Sequence, residues 1–238
     1  MAVLYKSHIL KNLDIIKNNI EEAAKRAHRS SQEIRIMAVS KGFPLSYVEI
    51  AKEAGLTLFG ENRVLEADQK YTHFTDKIEL HLLGHLQRNK AKKAVELFNC
   101  VQSIDKIETA QELNKYAERL NKQIQILIQV NTSQEESKYG YRDTDVMYRD
   151  IEELKKLKYL FLRGMMTIAP YTKNVTKIRE SFSELREIFS KIKTKFNLKE
   201  LSILSMGMSN DYEIAVEEGA NLLRIGTLIF GSRGERYR

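Results

Sequence analysis

A rhythm constrains this chain more than any single motif. Eight short runs rich in β-branched and other apolar residues recur at 34–41, 56–62, 79–86, 100–105, 125–131, 160–168, 200–208 and 221–231. Segments with helical periodicity fill the gaps; the clearest carries Ile178, Phe182, Leu185, Ile188, Ile192 and Phe196 on one face. Alternation of this kind implies parallel strands joined through helical crossovers. Nearly continuous apolar runs are expected when helices cover the sheet. Eight such units in 238 residues match the size of a TIM (β/α)8 barrel. An open doubly wound sheet is the alternative, because closure leaves no local signature. Ahead of the first run, residues 7–29 place Ile9, Leu13, Ile16, Ile20, Ala23 and Ala27 at helical steps. The expected fold is therefore α/β, one TIM-barrel domain over residues 1–238, with an extra N-terminal helix in residues 1–30 packed on it.

Composition narrows the function classes. With 42% apolar and 30% charged residues the profile is that of a globular protein. Two prolines and 11 glycines leave no evident linker. Cys100 is the only cysteine, so no intramolecular disulfide forms, which fits a reducing compartment. No run approaches the ~18 apolar residues a membrane span needs, and the N-terminus has polar residues every third or fourth position, unlike a signal peptide. A cytoplasmic protein is expected. The net charge of +7 suits nucleic acid or an anionic small ligand. In KIRESFSELREIFSKIKTKF, however, glutamates interleave with the lysines as on a solvated helix face. The basic tail Arg233, Arg236 and Arg238 is read as solvated too, so nucleic acid is not an expected partner.

In a barrel the chemistry lies at the carboxyl ends of the strands. Here the run bodies are apolar, whereas the exits carry Lys41, Glu61, Asn62, His85, Ser103, Asn131, Thr167, Ser205 and Arg224. Lys41 ends IRIMAVSK. A partly desolvated lysine has a lowered pKa, and its neutral amine forms a Schiff base with an aldehyde. In SMGMSNDYEIAVEEG, Ser209 or Asn210 is expected to cap a helix, with Asn210 and Glu213 as a capping box. The N–H groups of that first turn suit a phosphate. RIGT follows inside the eighth run, where Gly226 permits close backbone approach and Thr227 offers a hydroxyl. A phosphate site after strands seven and eight recurs in this barrel, and closure makes it a neighbour of strand one. Aldehyde plus phosphate suggests pyridoxal 5′-phosphate (PLP). Arg224 shares a strand face with Gly226 and is the candidate partner of the pyridine nitrogen. A permanently charged arginine leaves that nitrogen mostly unprotonated and restrains carbanion chemistry.

Other features carry less. His81 and His85 on one strand are about 13 Å apart, too far to share a zinc; no metal is expected. Cys100 opens an apolar strand and is read as buried and inert. ESKYG, with Glu135, Glu136, Lys138 and Tyr139, is read as an ordered loop at the barrel mouth. GHLQRNKAKKA starts a helix with a basic face and lacks the interleaved aromatics of an RNA platform.

AVSKGFP, FGENRVLEA, HLLGHLQRNK, QVNTSQEESKYG, RGMMTIAP and LSMGMSNDYEIAVEEGANLLRIGTLIFG closely resemble the YggS/PROSC family of PLP homeostasis proteins, from the first strand to the C-terminus. The resemblance implies a barrel like that of alanine racemase, with PLP on Lys41. It further implies Ser205, Ser209, Gly226 and Thr227 near the phosphate, Arg224 at the pyridine nitrogen and Asn62 near the ring. The racemases add a β-domain that brings a second acid/base residue, and only seven residues follow Gly231. The expected function is thus a PLP carrier or regulator without strong turnover, a monomer with apo PLP-dependent enzymes as candidate recipients. The alternative is a minor PLP enzyme, a weak racemase or lyase. Further off stand a Schiff-base aldolase and an RNA binder.

Overall fold

The computed structural model of the protein describes residues 2–74 and 77–232; Arg233, Arg236 and Arg238 lie outside the described residues. Among these residues the strands are β1 (Arg35–Val39), β2 (Leu58–Glu61), β3 (Glu79–Leu82), β4 (Cys100–Ile104), β5 (Ile124–Gln129), β6 (Leu160–Met166), β7 (Ile203–Ser205) and β8 (Leu222–Ile225). All pair in parallel and in chain order, and β8 returns to β1 with Met37 opposite Arg224. The sheet is closed, so the open doubly wound alternative is excluded. The helices are α1 (Ala2–Arg26), α2 (Leu45–Glu53), α3 (Val64–Tyr71), α4 (Ala91–Leu97), α5 (Ile107–Arg119), α6 (Thr144–Leu154), α7 (Val175–Lys195), α8 (Tyr212–Glu217) and α9 (Thr227–Phe230).

The two-residue period of each strand sorts its side chains between two cores. Leu80, Leu82, Leu204, Leu223 and Ile225 face the helices and join the main core. Their alternates point into the barrel. Met37, Val39, Leu58, Leu83 and Leu222 form one inner apolar cluster, and Cys100, Leu127 and Met166 another. Cys100 is fully buried, and burial pushes its thiol pKa up. The same period turns Glu79, His81, Gln102, Ser205 and Arg224 inward, so polar groups share the interior with the two apolar clusters.

α1 buries Ile9, Leu13, Ile16, Ile20 and Ala23. Polar side chains fix its placement: Tyr5 donates to Phe230 O at 2.9 Å, Asn12 to Ile229 O at 3.1 Å, and Asn19 to the Tyr212 hydroxyl at 2.8 Å. The helix therefore braces α8 and α9, which follow the last two strands.

Three local expectations are corrected. The seventh and eighth strands are much shorter than the runs 200–208 and 221–231. β7 is bounded by turn backbone at Leu198–Leu201 and by Gly207 at φ 91°. β8 stops at Ile225, because Gly226 (φ −115°, ψ −76°) turns the chain into α9. Gly226 and Thr227 thus begin a helical turn rather than sit within a strand. Neither Ser209 nor Asn210 caps α8; the cap residue is Asp211, whose Oδ1 accepts from the Met208 N–H. The Asp211 carboxylate closes that turn on itself, so no Asn210–Glu213 box forms.

Candidate functional site

A cavity of about 350 Å³ opens at the carboxyl end of the barrel. Lys41, Asn62, Ser209, Arg224, Gly226 and Thr227 all line it. Closure of the barrel brings them together from β1, β2, β7 and β8. A larger groove of about 550 Å³ runs under α1 at the amino ends of β1 and β2. It holds none of the strand-exit residues, so the smaller cavity is the candidate site.

Lys41 stands two residues beyond β1, in a turn where Gly42 takes φ 73°, a conformation side-chain-bearing residues rarely adopt. A buried charge cluster grips that turn through the residues on either side of Lys41. Lys70 of α3 donates to Ser40 O at 2.9 Å and to Glu61 Oε1 at 2.6 Å. The Ser40 hydroxyl reaches the same Glu61 oxygen at 2.8 Å and the Tyr71 hydroxyl at 2.8 Å. Glu66, one helical turn before Lys70, accepts from the Gly42 N–H. Glu61 has no exposure, and burial pushes its carboxyl pKa up against the pull of Lys70. Its Oε2 has no hydrogen-bond partner among the described residues.

Arg224 is held differently. It sits within β8 at 4% exposure. Its Nη1 donates to Ser205 Oγ at 2.9 Å and its Nη2 to Thr167 O at 2.7 Å. Burial lowers its pKa to about 10, opposed by the nearby Asp211 carboxylate, so it stays cationic at neutral pH. Burial raises the Asp211 pKa; the Met208 N–H and the Arg224 charge pull it back. Ser205 does not line the cavity. It is fully buried beneath it, donating to Gln102 Oε1 at 2.6 Å while accepting from Arg224.

The loop after β5 walls the mouth. Asn131 donates to Glu135 O and Lys138 O, both at 3.0 Å, and Gln129 donates to Tyr139 O at 3.0 Å. Lys138 lines the cavity and ties the loop to Ala169 O at 2.8 Å. His85, beyond the end of β3, stacks on Tyr139 with ring centroids 4.0 Å apart and lies 3.2 Å from Asp105 Oδ2. It is not among the lining residues. His81 is interior and bonded to Glu79 and Gln102.

The residues fit PLP on this structure's own terms. A buried cation reaches the cavity with its guanidinium anchored on two acceptors. Hydroxyls of Ser209 and Thr227 stand beside Gly226, where an added Cβ would lie 3.0 Å from Val39 O. Val39, Leu83, Met166 and Ile168 offer apolar surface for a ring. Lys138 was read only as part of a mouth loop and Glu61 only as a strand exit; Asp211 and the pairing of Glu61 with Lys70 were not singled out from sequence. The i,i+4 spacing of Glu66 and Lys70 was available as a signal, but it reads as an ordinary solvated helix pair.

Comparison with known proteins agrees with this geometry. The family model for the alanine racemase N-terminal domain matches residues 12–234. A pyridoxal phosphate homeostasis protein of Haemophilus influenzae is 35% identical over 229 residues, which cover 95% of this chain and 96% of the relative. The structure of PipY from Synechococcus elongatus, solved with PLP bound, superposes with a TM-score of 0.79 at 33% identity, covering 90% of this chain and 100% of that one. Alanine racemase of Clostridium difficile has a TM-score of 0.73 at 17% identity and shares the fold; the match covers 97% of this chain and 57% of the racemase.

Proposed function

This chain belongs to the alanine racemase N-terminal domain family and, within it, to the pyridoxal phosphate homeostasis proteins, and from that premise we propose that it binds PLP in the carboxyl-end cavity as a carrier and regulator of the cofactor. The observation that carries the reading is the meeting of Lys41, Arg224 and the Ser209–Thr227 rim on one cavity of about 350 Å³.

When bound, PLP supplies an aldehyde that condenses with an amine and a ring that withdraws electrons. Lys41 would supply the amine. Ser209, Gly226 and Thr227 would hold the phosphate, with the hydroxyls donating and Gly226 leaving room. Asn62 would border the ring, and Arg224 would serve the pyridine nitrogen as a donor. Because Arg224 remains protonated at neutral pH, it gives that nitrogen a hydrogen bond without giving up its proton, which limits electron withdrawal and disfavours turnover. Ser205 serves Arg224 rather than the phosphate, since both of its described bonds run beneath the cavity.

Residues 1–238 are read as one PLP-binding domain, a cytoplasmic monomer that hands PLP to apo enzymes; light scattering and transfer assays test those points. Among the described residues no helix is long and apolar enough to cross a membrane. The test of the core reading is the visible spectrum of the protein with PLP, followed by borohydride reduction and intact mass. The wild type gains a visible band and one phosphopyridoxyl group, and Lys41→Ala gains neither. Covalent PLP in Lys41→Ala at the wild-type level would overturn the assignment of Lys41. Stereospecific α-proton exchange with a saturable amino acid would replace the carrier with the minor-enzyme alternative.

A further inference from the structure

A continuous hydrogen-bonded chain crosses the barrel interior from the cavity to the opposite rim. Arg224 Nη1 donates to Ser205 Oγ at 2.9 Å, and Ser205 Oγ to Gln102 Oε1 at 2.6 Å. Gln102 Nε2 lies 2.8 Å from His81 Nδ1, and His81 Nε2 lies 2.8 Å from Glu79 Oε1. Glu79 in turn pairs with Arg35 at the amino end of the sheet. The four inner members come from β8, β7, β4 and β3, and all of them are buried.

The two ends of this chain fix every proton between them. A guanidinium can only donate, and an ionised carboxylate can only accept. Bonds from His81 and Arg35 hold the Glu79 carboxyl down to about 2, so it is ionised at neutral pH. His81 must therefore donate to it through Nε2–H. Burial keeps the imidazole neutral, which leaves Nδ1 as an acceptor for the Gln102 amide N–H. The Gln102 carbonyl then points to Ser205, whose hydroxyl proton goes to it and whose lone pair receives Arg224. Every bond donates in the same direction, from the mouth toward the rim. One break lets the Gln102 amide rotate and frees the hydroxyl that anchors half of the Arg224 fork.

We propose that His81 and Gln102 are positioning residues for Arg224: the one-way chain Arg224–Ser205–Gln102–His81–Glu79 sets the orientation in which the arginine meets the ligand. Its meaning for the cofactor rests on the PLP reading above, but the chain itself is measurable without cofactor. The experiment is 15N NMR of the full chain labelled at histidine, in wild type, Ser205→Ala and Ser205→Thr, with and without PLP. His81 is assigned by the signal lost in His81→Asn or, should that variant not fold, by the imidazole perturbed in Gln102→Glu.

The expected wild-type spectrum shows His81 as a single neutral tautomer protonated at Nε2. Ser205→Ala shifts both imidazole nitrogens although it does not touch the ring, and Ser205→Thr, which restores the hydroxyl, returns them. PLP moves the His81 signals in wild type and leaves them still in Ser205→Ala. An Nδ1–H tautomer, an imidazolium, or His81 signals indifferent to Ser205→Ala overturns the proposal, whether or not PLP binds. A wild type that takes up no PLP but shows the Nε2–H tautomer and the Ser205→Ala shift sinks the cofactor reading and leaves the chain of positioning residues standing.

Discussion

Lys41 and Arg224 are two basic residues on one cavity, and the fold fixes their surroundings differently. The lysine sits in a turn whose backbone is tied on either side of it: Ser40 O to Lys70 and Gly42 N–H to Glu66, both of α3. The arginine sits inside a strand, and its grip is on the side chain itself, with Ser205 and Thr167 bonded to the guanidinium. A turn fixed through its backbone suits the covalent role proposed for Lys41, and a clamped guanidinium suits the ring contact proposed for Arg224. The charges differ accordingly. The lysine side relies on a buried ion pair in direct contact, whereas the guanidinium is bonded to neutral polar groups, with Asp211 acting on it through charge alone and the chain of bonds ending at the distant Glu79.

The largest break in this comparison is expected at the ion pair. Lys70→Met strands the buried Glu61 carboxylate and the Ser40 carbonyl, and removal of one partner of a buried pair costs about 3–5 kcal/mol. The double change Glu61→Leu with Lys70→Met removes the stranded charge and recovers most of that loss. Urea denaturation of the single and double variants measures both. A double variant no more stable than Lys70→Met would show that the pair's worth lies outside its mutual charge.

Next in size is Arg224→Lys. It keeps the charge and loses the planar fork, so one ammonium must replace two separately aimed bonds. The expected cost is about 1.5–3 kcal/mol of stability, in the range for hydrogen bonds to a charged group, together with a displaced visible band for bound PLP. An unchanged band would mean that charge alone, not the fork, defines the environment of the ring.

Acid separates the two sides by sign. The Glu79 pKa falls from 4.5 unfolded to about 2 folded through its bonds to His81 and Arg35. Its contribution is therefore fully present above 4.5 and is lost as the pH drops toward 2. Glu61 shifts the other way, raised by burial. Its folded-state penalty is present above its raised pKa and is relieved as the pH falls toward 4.5. Glu79→Gln is expected to flatten the loss of stability below pH 4.5, and Glu61→Gln to remove the gain in stability that comes as the pH falls toward 4.5. Urea midpoints at pH 7, 4.5 and 3 read the two slopes. Parallel slopes for the two variants would erase the distinction between the sides.

The fold was legible because helical and strand periods alternate along the chain, and that alternation survives errors in every boundary. That Lys41, Arg224, Ser209 and Gly226 meet on one cavity was legible because strand exits in such a barrel converge. Ser205 lies buried beneath that cavity rather than on its lining. Being near the end of a strand does not say whether a hydroxyl points up to a ligand or down to a neighbour, and its partner Gln102 is 103 residues away in sequence. His81 and Gln102 were hidden for the same reason. The two-residue period turns both inward, but their partnership across the barrel exists only once the sheet has closed. The strand ends were overestimated because apolar residues such as Leu201 and Ile229 continue past the sheet into turns and helices that also bury them.

The smallest predicted effect bears most directly on how Lys41 is held. Glu66 is partly exposed, and its carboxylate accepts from the Gly42 N–H and lies 3.3 Å from Lys70. Glu66→Ala should cost no more than about 1 kcal/mol in global stability, since a solvated hydrogen bond is worth little net. Yet it releases one of the two backbone ties beside Lys41 and leaves every contact of Arg224 intact. If the lysine is positioned through its backbone, PLP dissociation should quicken about fivefold, the equivalent of ~1 kcal/mol, and the PLP band should keep its position because the ring's partners are untouched. Stopped-flow transfer of PLP to an excess of apo enzyme gives the rate, and the spectrum gives the band. A displaced band with an unchanged rate would reverse the assignment, with the Glu66 tie acting on the ring and the Lys41 turn able to hold itself.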